Sequence, residues 1–216
     1  MKKILSVSTI FLAAFLLFAQ DEEVNQPAPN AEISGQVLQN VFFVGLQTGN
    51  LPELRDRFED MIRSRWGMES NIRFVPRDQT LRIIRRAFQD RAVEVDPTLF
   101  NELRKHNLQN SIALLVSVEE YSIQPVRRRL IGGNAEGRLD ARFLFYDVAQ
   151  ERAILVTQTS SVSRIKKGLI WWRSPSDRVH ITAADRMKIN TELLEDAVAK
   201  GFDMMKIAVS LKNNTN

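Results

Sequence analysis

Two histidines and no cysteine leave this sequence few routes to metal or covalent chemistry. His106 and His180 are 74 residues apart, with no H-x-x-x-H or H-E-x-x-H spacing. The paired imidazoles that a helical zinc site needs on one face are therefore missing. His106 ends a stretch that reads as a helix, where contact with the helix C-terminus or plain solvation accounts for it. The lack of cysteine removes disulfides, thiolate zinc sites, iron–sulfur clusters, thiol nucleophiles and lipid attachment at a processed N-terminus. Gly132 and Gly137 have the spacing of a phosphate loop, but Arg138-Leu139 stands where Lys-Ser or Lys-Thr is required. The loop also joins two strands instead of opening a helix, so Gly132-Gly133-Asn134 reads as a hairpin tip. Glu119 and Glu120 are adjacent on a strand and point to opposite faces unless the strand bulges. No G-x-S-x-G elbow is present. The sequence thus nominates no catalytic, cofactor or metal residue.

What remains is a pair of basic segments. Arg127-Arg128-Arg129 precedes the glycines. Arg164, Lys166, Lys167, Arg173 and Arg178 surround Gly168-Leu169-Ile170-Trp171-Trp172, with Asp177 as the single opposing charge. Adjacent tryptophans among cations suit an interaction loop for an acidic protein surface, an anionic lipid or a glycan polymer. The competing reading has Trp171 or Trp172 covering a sheet edge while the cations form a solvated rim. The candidate interaction surface is Arg127, Arg128, Arg129, Lys166, Lys167, Trp171, Trp172 and Arg173.

The N-terminus bears on where such a surface would work. Lys2 and Lys3 precede the apolar run Ile10 to Phe18, Ala19 suits the position before a signal-peptidase cut, and Asp21-Glu22-Glu23 follows. An apolar run this short falls below the roughly 20 residues of a spanning helix, so it reads as a cleaved export signal, with an uncleaved anchor as the alternative. Loss of residues 1–19 reduces 30 basic residues to 28 against 26 acidic. That balance creates no global field for nucleic acid, which is excluded as a partner. The expected division is 1–19 signal peptide, 20–39 flexible acidic and proline-containing leader, 40–211 a single domain, and 212–216 a disordered tail. The mature chain is expected in the periplasm or outside the cell.

Positioning these segments falls to a series of short elements. Val41-Phe42-Phe43-Val44-Gly45-Leu46 fits a buried strand. Asn50 is expected to cap a helix with Pro52 in its first turn, Glu53 reaching back, and Leu54, Phe58, Met61 and Ile62 on one face. Ile72 to Val75 is a brief strand. Asp78 opens a second helix with Leu81, Ile84, Ala87 and Phe88 as its apolar face, and Asp96-Pro97 starts a third. Ile112 to Val118 is a strand that could reach Ile123. Leu139, Ala141, Phe143 and Phe145 alternate with Asp140, Arg142, Leu144 and Tyr146, the period of a half-buried strand. Another runs from Ala153 to Ser163. A final helix spans Met187 to Leu211, with Ile189, Leu193, Ala197, Met204 and Ala208 inward. The order predicts an α/β fold, with a mixed sheet that begins as parallel βαβ and ends as an antiparallel meander, and helices packed on it.

The apolar opening strand, the helix to Trp66, and Phe74-Val75-Pro76-Arg77 leading to Leu81 and Ile84 follow a familiar order. With the strands Ala113 to Val118 and Leu139 to Asp147, they resemble the periplasmic domain shared by CsgG curli-secretion proteins, LpoB-type activators of penicillin-binding proteins, and the N-terminal domain of TolB. The resemblance spans most of residues 41–207. It implies a non-enzymatic cell-envelope assembly or regulatory protein, in processes such as outer-membrane biogenesis, working by protein–protein contact. Its implied partners are envelope proteins or further copies of the chain, with peripheral contact to membrane or peptidoglycan. The alternative it carries is a subunit of a secretion or pore complex of the curli-channel type. Against that alternative, 124–138 and 163–181 look too short or too charged for long membrane-spanning hairpins.

Export is directly testable. N-terminal sequencing of protein expressed in a Gram-negative host should read from near Gln20 in the periplasmic fraction; a membrane-bound product retaining residues 1–19 would contradict it.

Overall fold

A computed structural model describes residues 38–48, 52–69, 71–89, 93–128, 132–167 and 181–214. All lie in the compact unit Val37–Asn216. The elements are β1 (Gln39–Gln47), α1 (Pro52–Trp66), β2 (Ile72–Phe74), α2 (Arg77–Phe88), α3 (Pro97–Lys105), β3 (Ile112–Arg128), β4 (Gly132–Asp147), β5 (Arg152–Lys167) and α4 (Ala183–Asn213). They form one five-stranded sheet in the order β2-β1-β3-β4-β5. β1 is parallel to both β2 and β3, while β3-β4-β5 is an antiparallel meander. The expected α/β mixed sheet is the one observed.

β1 explains why the opening run is apolar on consecutive residues. Val41 and Phe43 face a core shared with α1 and α4, whereas Phe42 and Val44 face a second core under α2 and α3. A strand buried on both faces has no polar side to show. β4 differs. Leu139, Ala141, Phe143 and Phe145 are fully buried in the first core. On its other face only the Leu144 and Tyr146 end reaches the α2–α3 core, where Tyr146 meets the Phe100 ring at 6.5 Å.

The first core is centred on Trp66, which the apolar face read for α1 did not include. Its ring lies 6.2 Å from Phe143, 6.3 Å from Phe74 and 6.0 Å from Phe202. Its Nε1 donates to the Val198 carbonyl at 3.0 Å, which satisfies the one polar atom the indole brings inside. Two glycines let α4 come this close. A Cβ on Gly201 would stand 2.5 Å from Phe143 Cε1 and 3.1 Å from Trp66 Cζ2. One on Gly137 of β4 would collide with Ile189 and stand 2.9 Å from Leu193 Cδ1. Small hydroxyl residues of β5, Thr159, Ser161 and Ser163, are buried on this same side of the sheet.

Several expectations need correction. The buried face of α2 is Thr80, Ile83, Ala87 and Phe88, and Leu81 is exposed. Thr80 turns inward because its hydroxyl donates to the Val75 carbonyl at 3.4 Å. The helix begins at Arg77 after Pro76, one residue before Asp78. In α4 Met205 is buried and Met204 only partly, because the inward stripe passes through Gly201. That helix runs to Asn213, beyond the expected start of a tail. Lys212 is buried there, 3.9 Å from the buried Asp147 and donating to the carbonyls of Asn110 and Ser111. Burial pushes its ammonium pKa down, opposed by the Asp147 charge. Asn50, expected to cap α1, lies outside the described residues, whereas Asp96 caps α3 by accepting from Leu99 N at 2.9 Å.

The largest difference is the length of the meander. Residues 124–128 and 132–138 are laddered, and Gly132, Gly133 and Asn134, expected at a hairpin tip, are strand residues of β4 paired with Arg128, Arg127 and Val126. The far part of the ladder has its own buried residue, Ala135, with Ile123, Ile165 and Ile181 packed against the core. β1 pairs β3 only as far as Ser117, so Pro125 sits on an open edge where its missing N–H costs nothing.

Replacing Phe143 by alanine should cost about 3–5 kcal/mol. Gly201→Ala should also destabilise, by about 1–3 kcal/mol, because overpacking outweighs the gain in helix propensity. Urea titrations should show lower midpoints for both. A raised midpoint for Gly201→Ala would refute the close approach of α4.

Candidate contact surface

Beyond the reach of α2 and α3, the face of β3-β4-β5 opposite α4 carries no covering element among the described residues. On β4 this face presents Glu136, Arg138, Asp140 and Arg142 at period two. β5 adds Val156, Gln158, Ser160, Val162 and Arg164 from the paired positions. Val156 is 46% exposed and Val162 52%, both on the edge strand β5.

Glu119 and Glu120 do not take opposite faces. The register slips between Val118 and Glu120, a bulge that leaves Glu119 as the extra residue and brings both carboxylates to exposed positions on this side. Glu119 accepts from Gln158 Nε2 at 2.8 Å and lies 3.8 Å from Arg142 Nη1. Glu120 lies 3.6 Å from Arg138, which also donates to Asp140 at 2.8 Å. Arg164 donates to Glu136 at 2.7 Å. The two glutamates are thus bound into a cross-strand charge lattice, not arranged as an acid–base pair. Asp140 is covered largely by the arginine lying over it. The Arg138 hydrogen bond holds its carboxyl below the usual aspartate range, with burial opposing and the Ser160 hydroxyl assisting.

The sheet also brings together the two basic segments. Arg127 and Lys167 occupy register positions on either side of Gly133, and Val126 and Lys166 flank Asn134. Arg128 pairs with Gly132. Lys166 is exposed. Arg129, Trp171, Trp172 and Arg173 lie outside the described residues, as does His180. His106 is the residue that closes α3, with its Nε2 3.7 Å from Glu102, in keeping with the helix-end reading. Among the described residues no group of three or more His, Asp or Glu side chains could hold a metal. No described helix is long and apolar enough to cross a membrane.

The outer face was missed as a unit when the sequence was read. The alternation of β4 identifies it, but the matching rows of β3 and β5 depend on register and on the bulge.

No protein-family model matches the sequence, and no curated protein matches it. Solved structures similar to it include a hypothetical protein of Chlamydia trachomatis at 12% identity and TM-score 0.46, covering 76% of this chain and 95% of that one. A lipoprotein of Neisseria meningitidis matches at 11% identity and TM-score 0.44, over 58% and 83%. A putative neuraminyllactose-binding hemagglutinin homologue of Helicobacter pylori matches at 8% and 0.47, over 83% and 92%.

The charge lattice has a pH signature. A depressed carboxyl pKa contributes stability above the ordinary aspartate range and loses it as pH falls through the lowered folded value. Wild type should therefore be more stable than Arg138→Gln at neutral pH, with the gap closing below about pH 4. Urea midpoints across pH will test this; a gap unchanged down to about pH 2 would contradict the linkage.

Proposed function

We propose that this chain is an exported, non-enzymatic assembly or regulatory protein of the bacterial envelope that acts by contact with other envelope proteins. The observation that carries the reading is the uncovered outer face of β3-β4-β5. In a sheet flanked by helices a second apolar face is ordinarily buried. Here, among the described residues, the outer face is closed only at its β1 end, and the remainder offers two exposed valines inside a lattice of paired charges. A rigid, patterned face of this kind suits recognition of a folded partner, with the apolar residues supplying contact area and the charges fixing register. The export signal read at the N-terminus supports the compartment. Lys166 and Lys167 end β5 at the far margin of the same region.

A second reading, a subunit of an oligomeric secretion or pore complex, is favoured by the open edge of β5. Among the described residues that strand pairs with β4 alone along Arg152–Lys167, and an unpaired edge is a template for another chain. One of its carbonyls, that of Ser160, accepts from Lys200 Nζ at 2.6 Å. Sedimentation of the mature protein separates the readings, since only the second requires a closed ring of copies.

Affinity capture from envelope extracts tests the first. The mature chain should retain specific proteins, and Val156→Gln with Val162→Gln should reduce their yield at least about tenfold, the effect of losing 1.4 kcal/mol. The thermal melt should be unchanged, because both positions are exposed. Undiminished capture by the double variant would sink the outer face as the contact surface.

A further inference from the structure

The two edges of the sheet are built differently. β2, at one edge, is three residues long and carries Arg73. β5, at the other, runs for 16 residues, and its stretch 153–163 holds no charge and no proline. Short length and charge are devices that keep a sheet edge from pairing with another chain. β5 has neither along that stretch, and among the described residues no strand pairs with its outer side. Lys200 Nζ holds the Ser160 carbonyl from that side at 2.6 Å. Residues of the same parity, Gln158 and Val162 among them, therefore turn their backbone N–H and C=O outward with Ser160.

The outward row is complementary to itself. Take an antiparallel pair of β5 strands with a two-fold axis at Thr159. Val156 then stands opposite Val162 of the second copy, and Gln158 opposite its Ser160, so both exposed valines are matched, twice over. Moving the axis one residue either way sets Val156 against Arg164 or Ser160 instead. Arg152, Arg164 and Lys166 stay outside the paired stretch 156–162. The axis reverses α4 as well. That helix carries the ion pair Asp196–Lys200 beside Ser160, so each charge faces its opposite in the second copy. α4 packs on β4 at Phe143 and on β5 at Ser163. A helix seated about half a strand spacing inside the edge stands roughly 10 Å from its two-fold mate, the ordinary packing distance.

We propose that two copies of the chain join edge to edge through β5, antiparallel about a two-fold axis at Thr159, merging their five-stranded sheets into one. On pairing, the Ser160 carbonyl passes from Lys200 to the Gln158 N–H of the second copy, and Lys200 keeps Asp196 beside it. An isologous pair closes at two copies, so it occupies the edge that a ring would use and ends assembly there. The proposal goes beyond the contact reading above, and the outer faces of the two copies lie side by side, uncovered.

Cross-linking and sedimentation of the mature chain test it. The sequence has no cysteine, so one introduced thiol reports on one position. Opposed residues between the hydrogen-bonded pairs stand about 4.5 Å apart at Cα, within disulfide reach. Thr159→Cys should therefore give a covalent dimer under mild oxidation. Ser161→Cys should not, because its counterpart lies roughly 14 Å away, four residues along the second strand. In sedimentation the wild type should run at twice the chain mass. Gln158→Lys with Ser160→Lys, both exposed positions, opposes like charges across the axis and should weaken the dimer about tenfold. Gln158→Lys with Ser160→Glu opposes unlike charges and should keep it. If Thr159→Cys melts abnormally, the two charge variants decide. A monomeric wild type, a ring of more than two copies, cross-linking through Ser161→Cys in place of Thr159→Cys, or equal dissociation of the two folded charge variants would overturn the proposal. A dimer that captures no envelope protein removes the contact reading alone, and a monomer that captures one removes this proposal alone.

Discussion

The close approach of α4 to the sheet is the constraint from which the rest follows. Where the helix crosses Phe143 and Trp66 it presents Gly201, and where it crosses β4 the sheet presents Gly137. Neither position has room for a methyl group. With side chains removed from the crossing points, Ile189, Leu193, Ala197 and Met205 settle directly on the strands. The helix of 31 residues is about 46 Å long at 1.5 Å per residue, comparable with the 16 residues of β4. One helix therefore backs the meander along most of its length. Its C-terminus is fixed by the buried Lys212 between Asp147 and the carbonyls that precede β3.

This one-sided support sets the character of the outer face. α2 and α3 bury only the part shared by β1, β3 and the Tyr146 end of β4. Beyond it no described element covers the strands, which carry paired charges. Exposed ion pairs contribute at most about 1 kcal/mol each, so the lattice of Glu119, Glu120, Arg138, Arg142 and Gln158 is not what holds the strands together. The helix on the opposite side does that. A face whose side chains are unnecessary to the fold can be specialised for contact at little cost in stability.

What the sequence made legible was whatever is decided locally. The apolar run of β1, the alternation of β4 and the Asp96-Pro97 helix start all depend on neighbours in the chain, and each was readable. The rotation of α2 was not, because Thr80 turns inward to satisfy a carbonyl beyond its own helix. The extension of β3 through Pro125 was hidden because the residue breaks a strand unless its edge is open, and the edge is open only because β1 ends first. Glu119 and Glu120 looked like opposite faces until the bulge brought them together. The meeting of Arg127 with Lys167 depends on two successive registers across Gly133. Gly201 and Gly137 had no signal beyond their type, since their role belongs to the partner that packs on them.

The central claim is that α4 makes the meander rigid out to its cationic end, so that residues far from the main core are held in fixed relation. Native-state hydrogen exchange of the full chain measures this strand by strand. The account predicts that laddered amides of β3 and β4 from Ile112 to Val126 and from Asn134 to Asp147 share one opening free energy, close to that of global unfolding. Protection that stops at the Glu119 bulge, with fast exchange beyond it, would show that the helix does not hold the far end and would contradict the account.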